Sequence, residues 1–282
     1  MKKEYDDVIA LHYKDVANSH GLSPTSTMAD EITRAIETDA ITNFVGDALR
    51  RFCANSAFKK ATIMDVGCGN GFTLSQLFER YPEHHYVGIE KSDELRALAA
   101  SRFNGNSNVQ ILSGDIREKG FASGIEADIL ICQRVLINLL NIEDQKTALI
   151  NVVAAVKSPV SQGPSGSLLF IEGFASPLTR LNEARSEFDL AAIPEAHHNL
   201  YLPDDFFLIR QIEPYQSISD LPQPNFLSTH YYVTRVLHPL YTPPNKSFKR
   251  NSEFVRFFTE ALHTNAGDYS SLKLYMFDKC EK

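Results

Sequence analysis

The chain's 282 residues, 43% of them hydrophobic and 22% charged, have an ordinary globular composition. A chain of this length buries roughly three-quarters of its unfolded surface, in one large domain or one domain with a cap. Lys and Arg number 28 against 35 Asp and Glu, and the resulting formal charge of −7 argues against a broad phosphate-binding surface and against nucleic acid as a partner.

The first segment, "MKKEYDDVIALHYKDVANSHG", has acids where a secretory leader needs an apolar core. No later stretch approaches the ~20 apolar residues of a membrane-spanning helix. The expectation is a soluble, unexported, cytoplasmic protein. Cys53, Cys68, Cys132 and Cys280 form no C-x-x-C pair and fall in apolar runs, so they read as buried, reduced thiols of a cytosolic protein.

Residues 24 to 53 open on the turn-forming "SPTST" and continue with Met28, Ile32, Ile36, Phe44, Ala48 and Phe52 at helical spacing, a helical lead-in. From residue 61 the pattern changes to short apolar runs, "ATIMDV", "HYVGIE", "VQILSG", "ADILIC" and "GSLLFIEGF", which read as parallel strands buried on both faces. The stretches between them read as helices: "FTLSQLFERY", "SDELRALAASRF" with Ser92 as N-cap, and "EDQKTALINVVAAVK" with Leu149, Val152, Val153 and Val156 on one face. "SPVSQGPSG" is a surface loop by composition. The fold class is therefore α/β, a doubly wound, Rossmann-like, mostly parallel sheet. From residue 173 to 228 the alternation lapses, as expected of a substrate-cap insertion. "STHYYVTRVLHPLY" then reads as a strand by its aromatic and β-branched content, followed by a basic-polar loop, one helix and a last strand, "SLKLYMFDK". Seven strands are expected in all.

"MDVGCGNGF", residues 64 to 72, puts three glycines at alternate positions behind the first strand and an acid two residues before the first of them. A strand running through Gly67-Cys68-Gly69-Asn70-Gly71 into a helix is a tight turn where a ligand can touch main chain. The dinucleotide fingerprint G-x-G-x-x-G fits poorly, because the third glycine comes one residue early and Phe72 stands where Gly or Ala is wanted. Asp65 would repel phosphate but attract a cationic amine. An amino-acid-bearing nucleoside without phosphates suits the loop better than NAD(P).

The stretch resembles the first motif, D-x-G-x-G-x-G, of class I S-adenosylmethionine-dependent methyltransferases, and three further motifs follow in that family's order. Glu90 ends the second strand 19 residues after Gly71, where the family has an acid for the ribose hydroxyls, with Lys91 beside it. Gly114-Asp115-Ile116 follows the third strand, where the family's aspartate takes the adenine amino group. Cys132-Gln133-Arg134 ends the fourth, where the family supplies backbone contacts to the methionine part and often catalytic residues. The resemblance covers about residues 60 to 175 and implies S-adenosyl-L-methionine as cofactor. Cofactor residues are then Asp65, Gly67, Cys68, Gly69, Asn70, Gly71, Glu90, Lys91, Gly114, Asp115, Ile116, Cys132, Gln133 and Arg134. Met28 and Arg34 could close over the cofactor, as N-terminal helices do in the family; packing and a solvated charge are the plainer readings. The chain divides into an N-terminal helical lead-in or lid (1–58), a cofactor-binding core (59–172), a substrate cap (173–228), and C-terminal strands and a helix completing the sheet (229–282).

Methyl transfer from a sulfonium needs alignment of acceptor, methyl and sulfur, and a base only for a poor nucleophile such as a hydroxyl. "EAHHNLYLP" and "STHYYVTRV" offer His198 as the first candidate base, then His197 and His230, with Asn199, Tyr201, Tyr231 and Arg235 as substrate-binding groups. "CQRV" replaces the [DNS]-P-P-[YF] of enzymes that methylate DNA bases. No acid ends "ADILIC" to begin a magnesium site, and no His/Cys cluster has metal spacing, so metal-independent chemistry is expected. "QRVLINL", "HHNLYL" and "THYYVTRV" are similar to bacterial methyltransferases associated with surface-polysaccharide synthesis. That resemblance implies O-methylation of a sugar or other small hydroxylated acceptor, free or at a glycan end. An N- or O-methyltransferase of a secondary metabolite, an NAD(P)-dependent oxidoreductase and a non-catalytic cofactor-binding protein are the alternatives. The sequence leaves the oligomeric state open, a dimer included.

Overall fold

A computed structural model of the chain describes residues 2–26, 28–55, 60–158, 166–208, 215–217, 223–243, 245–246 and 249–279. The five apolar runs form β1 (Thr62–Val66), β2 (His85–Glu90), β3 (Val109–Ser113), β4 (Ile129–Gln133) and β5 (Ser167–Gly173). These pair in parallel, while β7 (Leu272–Lys279) lies antiparallel to β5. A three-residue edge strand, β6 (Tyr215–Ser217), pairs antiparallel with β7. The sheet order is β3-β2-β1-β4-β5-β7-β6. The chain reverses direction across the sheet between β1 and β4, and ligands of doubly wound sheets lie beyond the carboxyl ends of the strands at that point.

Period-2 alternation sorts the central strands onto two cores. Met64, Val66, Leu130, Leu168 and Phe170 face one side and pack with α5 (Ile142–Ala154) through Leu149, Val152 and Val153. Ile63, Ile129, Ile131, Leu169 and Ile171 face the other, against Phe44, Val45 and Ala48 of α2 (Glu31–Asn55), Leu74 and Leu77 of α3 (Phe72–Arg80), and Leu178 and Leu181 of α6 (Ala175–Ser186). The connecting helices start where the sequence marks them. Ser92 caps α4 (Asp93–Arg102) by accepting from Leu95 N, and Asn141 caps α5 by accepting from Glu143 N and Asp144 N, each with acids in the first turn.

Several expectations are corrected. The run expected as the sixth strand is helical: α7 (Ser228–Tyr232), a π-helical turn (Val233–Leu237) and α8 (His238–Tyr241). Its polar side chains are satisfied inside a helix, where Thr234 Oγ1 donates to His230 O at 2.7 Å and Ser228 Oγ to Ala266 O at 2.7 Å. Burial on several sides here outweighs the β-propensity of its aromatic and β-branched residues. Six of the seven expected strands are strands, and the short β6 lies inside the segment read as cap. That segment also opens with a helix, α6, so the alternation of strand and helix continues past residue 173. The first segment forms α1 (Lys2–His20), and the lead-in helix begins at Glu31 rather than directly after "SPTST". α9 (Glu253–Ala261) precedes β7. Cys53 is exposed, whereas Cys68 and Cys132 are buried free thiols. Cys280 and most of the "SPVSQGPSG" loop lie outside the described residues. No helix among the described residues is long and apolar enough to cross a membrane.

Candidate active site

The turn after β1 needs glycine for steric reasons. Gly67 and Gly71 hold φ of 69° and 76°, and a Cβ on Gly67 would stand 2.4 Å from Val135 Cγ2. The N–H groups of Gly67 and Cys68 donate to Ile89 O at 2.8 and 3.1 Å, which ties the turn to the end of β2. Asn70 Nδ2 donates to Gly21 O, Ser23 O and Ser26 Oγ, fastening the segment after α1 to the same turn.

A cavity of about 350 Å³ opens at this turn, within the range of small-molecule sites. Asp65, Gly67 to Asn70, Glu90, Lys91, Gly114 to Ile116, Gln133 and Arg134 line it, and α1 covers it with Tyr5, Asp6, Ile9, Ala10 and Tyr13. Asp65 is 2% exposed, and its side chain makes no hydrogen bond or ion pair among the described residues. Burial pushes its pKa up to about 7, with Arg34 opposing and Glu90 adding to the rise. Glu90, also buried, accepts from Gly69 N at 2.9 Å and Ser92 N at 2.8 Å. Burial raises its pKa, and those N–H groups restrain the rise.

Asp115 has a different environment. Burial works to raise its pKa, but hydrogen bonds from the Arg117 side chain and N–H, and the charge of Lys91, outweigh it and hold the carboxyl at about 2. Arg117 Nη2 approaches Asp115 Oδ2 to 2.5 Å and Lys91 Nζ to 3.1 Å. Both cations also meet Asp6 of α1, at 3.0 Å each, and Tyr5 bonds Asp144 and Arg117. Helix α1 is thus held across the cavity by ionic contacts, with Asn138 Nδ2 donating to Tyr13 Oη at 2.5 Å.

The end of β4 is built from three buried groups. Arg134 adopts a left-handed φ of 55°, rare for a residue with a Cβ, and its Nη1 donates to both oxygens of buried Glu37, at 3.1 and 2.8 Å. Glu172 accepts from the N–H groups of Val135, Leu136 and Ile137, fixing the loop after β4; burial pushes its pKa up to about 7. The Cys132 thiol donates to Glu172 Oε1 at 3.6 Å, and burial raises its pKa well above the ordinary value. Gln133 lines the cavity and accepts from Thr73 Oγ1 at 3.3 Å.

Arg34, from α2, is 8% exposed and lies over the Phe72 ring at 4.9 Å. It lines the cavity, and its Nε is buried without a hydrogen-bond partner among the described residues. Burial pulls its pKa down to about 10, helped by Arg134 and opposed by Glu37 and Asp65. Met28 packs beside the core and does not line the cavity.

The residues expected to handle the acceptor lie elsewhere: none of His197, His198, His230, Asn199, Tyr201, Tyr231 and Arg235 lines this cavity. His198 stacks on His12 of α1 at 4.0 Å, with exposed His197 edge-on at 5.1 Å. Burial and its two histidine neighbours lower the His198 pKa to about 4. His230 is 1% exposed and bonded on both nitrogens, Nε2 to Asp30 Oδ2 at 3.0 Å and Nδ1 to Thr259 Oγ1 at 3.2 Å. Glu37, Glu172, Arg117, Tyr13 and Asn138 belong to the site without having been singled out in the sequence. For Glu172 a signal existed, a lone charge inside the apolar run "LLFIEGF".

Residues 63–159 match the family model described as "Methyltransferase domain". The chain is 34% identical over 73 residues to the tRNA (guanine-N(7)-)-methyltransferase of Leifsonia xyli subsp. xyli, a match covering 24% of this chain and 32% of that protein. It is 40% identical over 48 residues to the trans-aconitate 2-methyltransferase of Acidovorax sp. (strain JS42), covering 17% and 19%. The matches span a third or less of these curated relatives. A solved structure, S-adenosylmethionine-bound CalS10, an amino pentose methyltransferase from Micromonospora echinaspora, aligns at 27% identity and a TM-score of 0.35 over 44% of this chain and 48% of that one.

S-adenosylmethionine fits the donor set: a buried unpaired carboxylate for its amine, a carboxylate at the end of β2 for its ribose, and bare main chain between them. Residues 63–159 match a methyltransferase domain, and the site built around them fits S-adenosylmethionine as cofactor.

Proposed function

We propose that the chain transfers the methyl group of S-adenosylmethionine to a hydroxyl of a small acceptor, a sugar first among the candidates. The observation that carries this reading is the covered cavity, whose lining holds Tyr13, Gln133 and Asn138 together with the acids Asp65 of β1 and Glu90 of β2. Phenol and amide groups in that lining suit hydroxyl recognition. Coverage by α1, together with the charge of −7, favours a small acceptor over a polymer.

When bound, the cofactor supplies a cationic sulfonium that carries its own leaving group. Asp65 gives up its proton to face the cofactor's ammonium, Glu90 orients the ribose, and Arg34 meets the carboxylate end. Asp115 takes the adenine side, held rigid by Arg117 and Lys91. Of the three histidines His198 ranks first as proton acceptor, although it stacks on His12 of α1 outside the cavity lining and would have to reach the acceptor past that helix: at pH 7 it is neutral, and its Nδ1 is buried without a hydrogen-bond partner among the described residues. His230 has both nitrogens occupied and His197 is exposed, so they rank behind it. The division into lid (1–58), core (59–172), cap (173–228) and C-terminal segment (229–282) belongs to the same proposal, supported by α1 over the cavity and by His198 meeting α1 through His12. A cytoplasmic location is supported by the free thiols.

The test is an acceptor screen of the full chain with methyl-labelled S-adenosylmethionine against monosaccharides, nucleotide sugars, short glycans, carboxylic acids and amines, with and without a chelator. Label in a base-stable ether, undiminished by chelation, is expected. Label confined to nitrogen or to base-labile esters would overturn the hydroxyl assignment.

A further inference from the structure

Two neighbouring arginines outside the cofactor cavity, Arg235 and Arg185, form no ion pair among the described residues. Arg235 belongs to the π-helical turn Val233–Leu237, an element that occurs mostly as single turns inside α-helices and frequently at functional sites. It is half-buried, with its guanidinium carbon 3.6 Å above the ring centroid of buried Tyr231, and its Nη1 donates to Thr234 Oγ1 at 2.7 Å. Arg185, at the end of α6, gives its donors to main-chain oxygens, those of Ala191 and of Arg235 itself. Neither arginine forms an ion pair among the described residues. Each therefore lacks the carboxylate that usually accompanies a half-buried guanidinium, and the two like charges stand close enough for Arg235 to lower the Arg185 pKa alongside burial.

The surroundings sharpen this. The acid that most clearly feels Arg235 is Asp30, whose carboxylate is already bonded to His230 and to Thr33 N. Tyr201, a phenol hydrogen-bonded to Ser271 and Asn199, also feels the positive charge and has Glu195 as an acidic neighbour. Tyr201 packs on Gly173 at the end of β5, where an added Cβ would stand 3.0 Å from its ring and 3.3 Å from Ile137. Ile137 lies in the loop whose Arg134, Val135 and Asn138 line the cofactor cavity, and Glu37 joins the two regions by binding Arg134 while its charge reaches Tyr231. Two guanidiniums without an ion-pair partner among the described residues, one over an aromatic ring, and a phenol thus sit one wall away from the cavity. A planar fork of N–H donors matches the geometry of a carboxylate or phosphate.

We propose that Arg235, with Arg185 and the Tyr201 hydroxyl, holds an oxyanion group of the methyl acceptor, a phosphate or a carboxylate. This rests on the methyl-transfer reading and adds to it that the acceptor is anionic and anchored beyond the Arg134–Glu37 pair.

The full chain, with and without saturating S-adenosylhomocysteine, is titrated calorimetrically at fixed ionic strength with inorganic phosphate and pyrophosphate in one arm and with malonate and citrate in the other. At least one arm should bind at one site per chain, and Arg235→Gln should weaken that binding about tenfold or more, the usual loss for a charge-assisted contact, while S-adenosylhomocysteine affinity stays unchanged. Arg235→Lys, which keeps the charge and loses the fork, should fall between. Binding in the phosphate arm alone means a phosphorylated acceptor, binding in the carboxylate arm alone a carboxylated one, and both support the site. Arg185→Gln gives the same readout should Arg235→Gln fail to fold. Absence of binding in every arm, or equal binding in wild type and variants, overturns the proposal. If S-adenosylhomocysteine does not bind but Arg235-dependent anion binding persists, the methyl-transfer reading fails and the anion site stands.

Discussion

Replacing Asp65 with Asn should make the cofactor-free protein more stable and the cofactor-bound one weaker. In the folded chain Asp65 titrates at about 7, against an ordinary value near 3.8, because it is buried; that figure already contains the attraction of Arg34. An acid whose folded pKa is raised binds more protons folded than unfolded, so its contribution is fully present below pH ~4 and is lost as pH rises through 7. The gap, at about 1.4 kcal/mol per pH unit, amounts to ~4 kcal/mol at pH 8. The Asn side chain carries no such cost. Melting curves of both proteins from pH 4 to 8 should therefore coincide near pH 4, diverge progressively between pH ~4 and ~7 and run parallel above, with the variant higher by on the order of 5 °C at pH 8. Taking the difference removes the parallel effect of Glu172, which titrates in the same range. With S-adenosylhomocysteine the order reverses in affinity: the variant should bind ~1–3 kcal/mol more weakly. Wild type should also release a proton on binding at pH 6.5, seen by calorimetry in two buffers, and the variant should not. A variant that melts at or below wild type at pH 8 and binds with unchanged affinity contradicts a buried carboxylate waiting for a cation.

Glu90→Ala should raise the Michaelis constant for cofactor more than it lowers turnover, because ribose contacts are equal in ground and transition states; steady-state kinetics in both substrates decides. Arg34→Met, which keeps the packing on Phe72, should weaken S-adenosylhomocysteine by about tenfold or more and bind the decarboxylated analogue like wild type. His198→Ala should leave cofactor binding intact and lower turnover by on the order of 10² to 10⁴, while the acid limb near pH 7, set by Asp65, persists in the pH–rate profile. Glu172→Gln, which leaves one or more of the N–H groups of Val135, Leu136 and Ile137 less well paired, should cost ~1–3 kcal/mol in denaturant unfolding.

The parts legible in the sequence are those where local chemistry allows few solutions. The Gly67–Gly71 turn requires residues without Cβ where φ is positive and Val135 is close, and such a requirement is visible in one short stretch. The acids that end β1 and β2 were legible because strand length fixes their spacing from that turn. What depends on partners far apart in the chain was hidden. Glu37 and Arg134 are 97 residues apart, and the contacts of Tyr5 and Asp6 with Arg117 join positions more than 110 apart. Helix α2 turns polar Thr33, Arg34 and Glu37 inward, against the rule that an amphipathic helix buries its apolar stripe. The segment from Ser228 to Tyr241 misleads for the complementary reason: its composition favours a strand, but Asp30, Thr259 and Ala266 satisfy its polar groups in a helix. Residue type alone points to His198 and Arg235, and the structure puts them outside the cofactor cavity, His198 against α1 and Arg235 over Tyr231.

The central claim, that the cavity at the glycine turn takes S-adenosylmethionine, is tested most directly by titrating the full chain in a calorimeter with S-adenosylhomocysteine and, separately, with NAD and NADP. The account predicts one S-adenosylhomocysteine site per chain, weakened by Asp65→Asn and by Glu90→Ala, and no heat of binding from either dinucleotide. Saturable binding of NAD or NADP at that site, or no binding of S-adenosylhomocysteine by the folded protein, would contradict it.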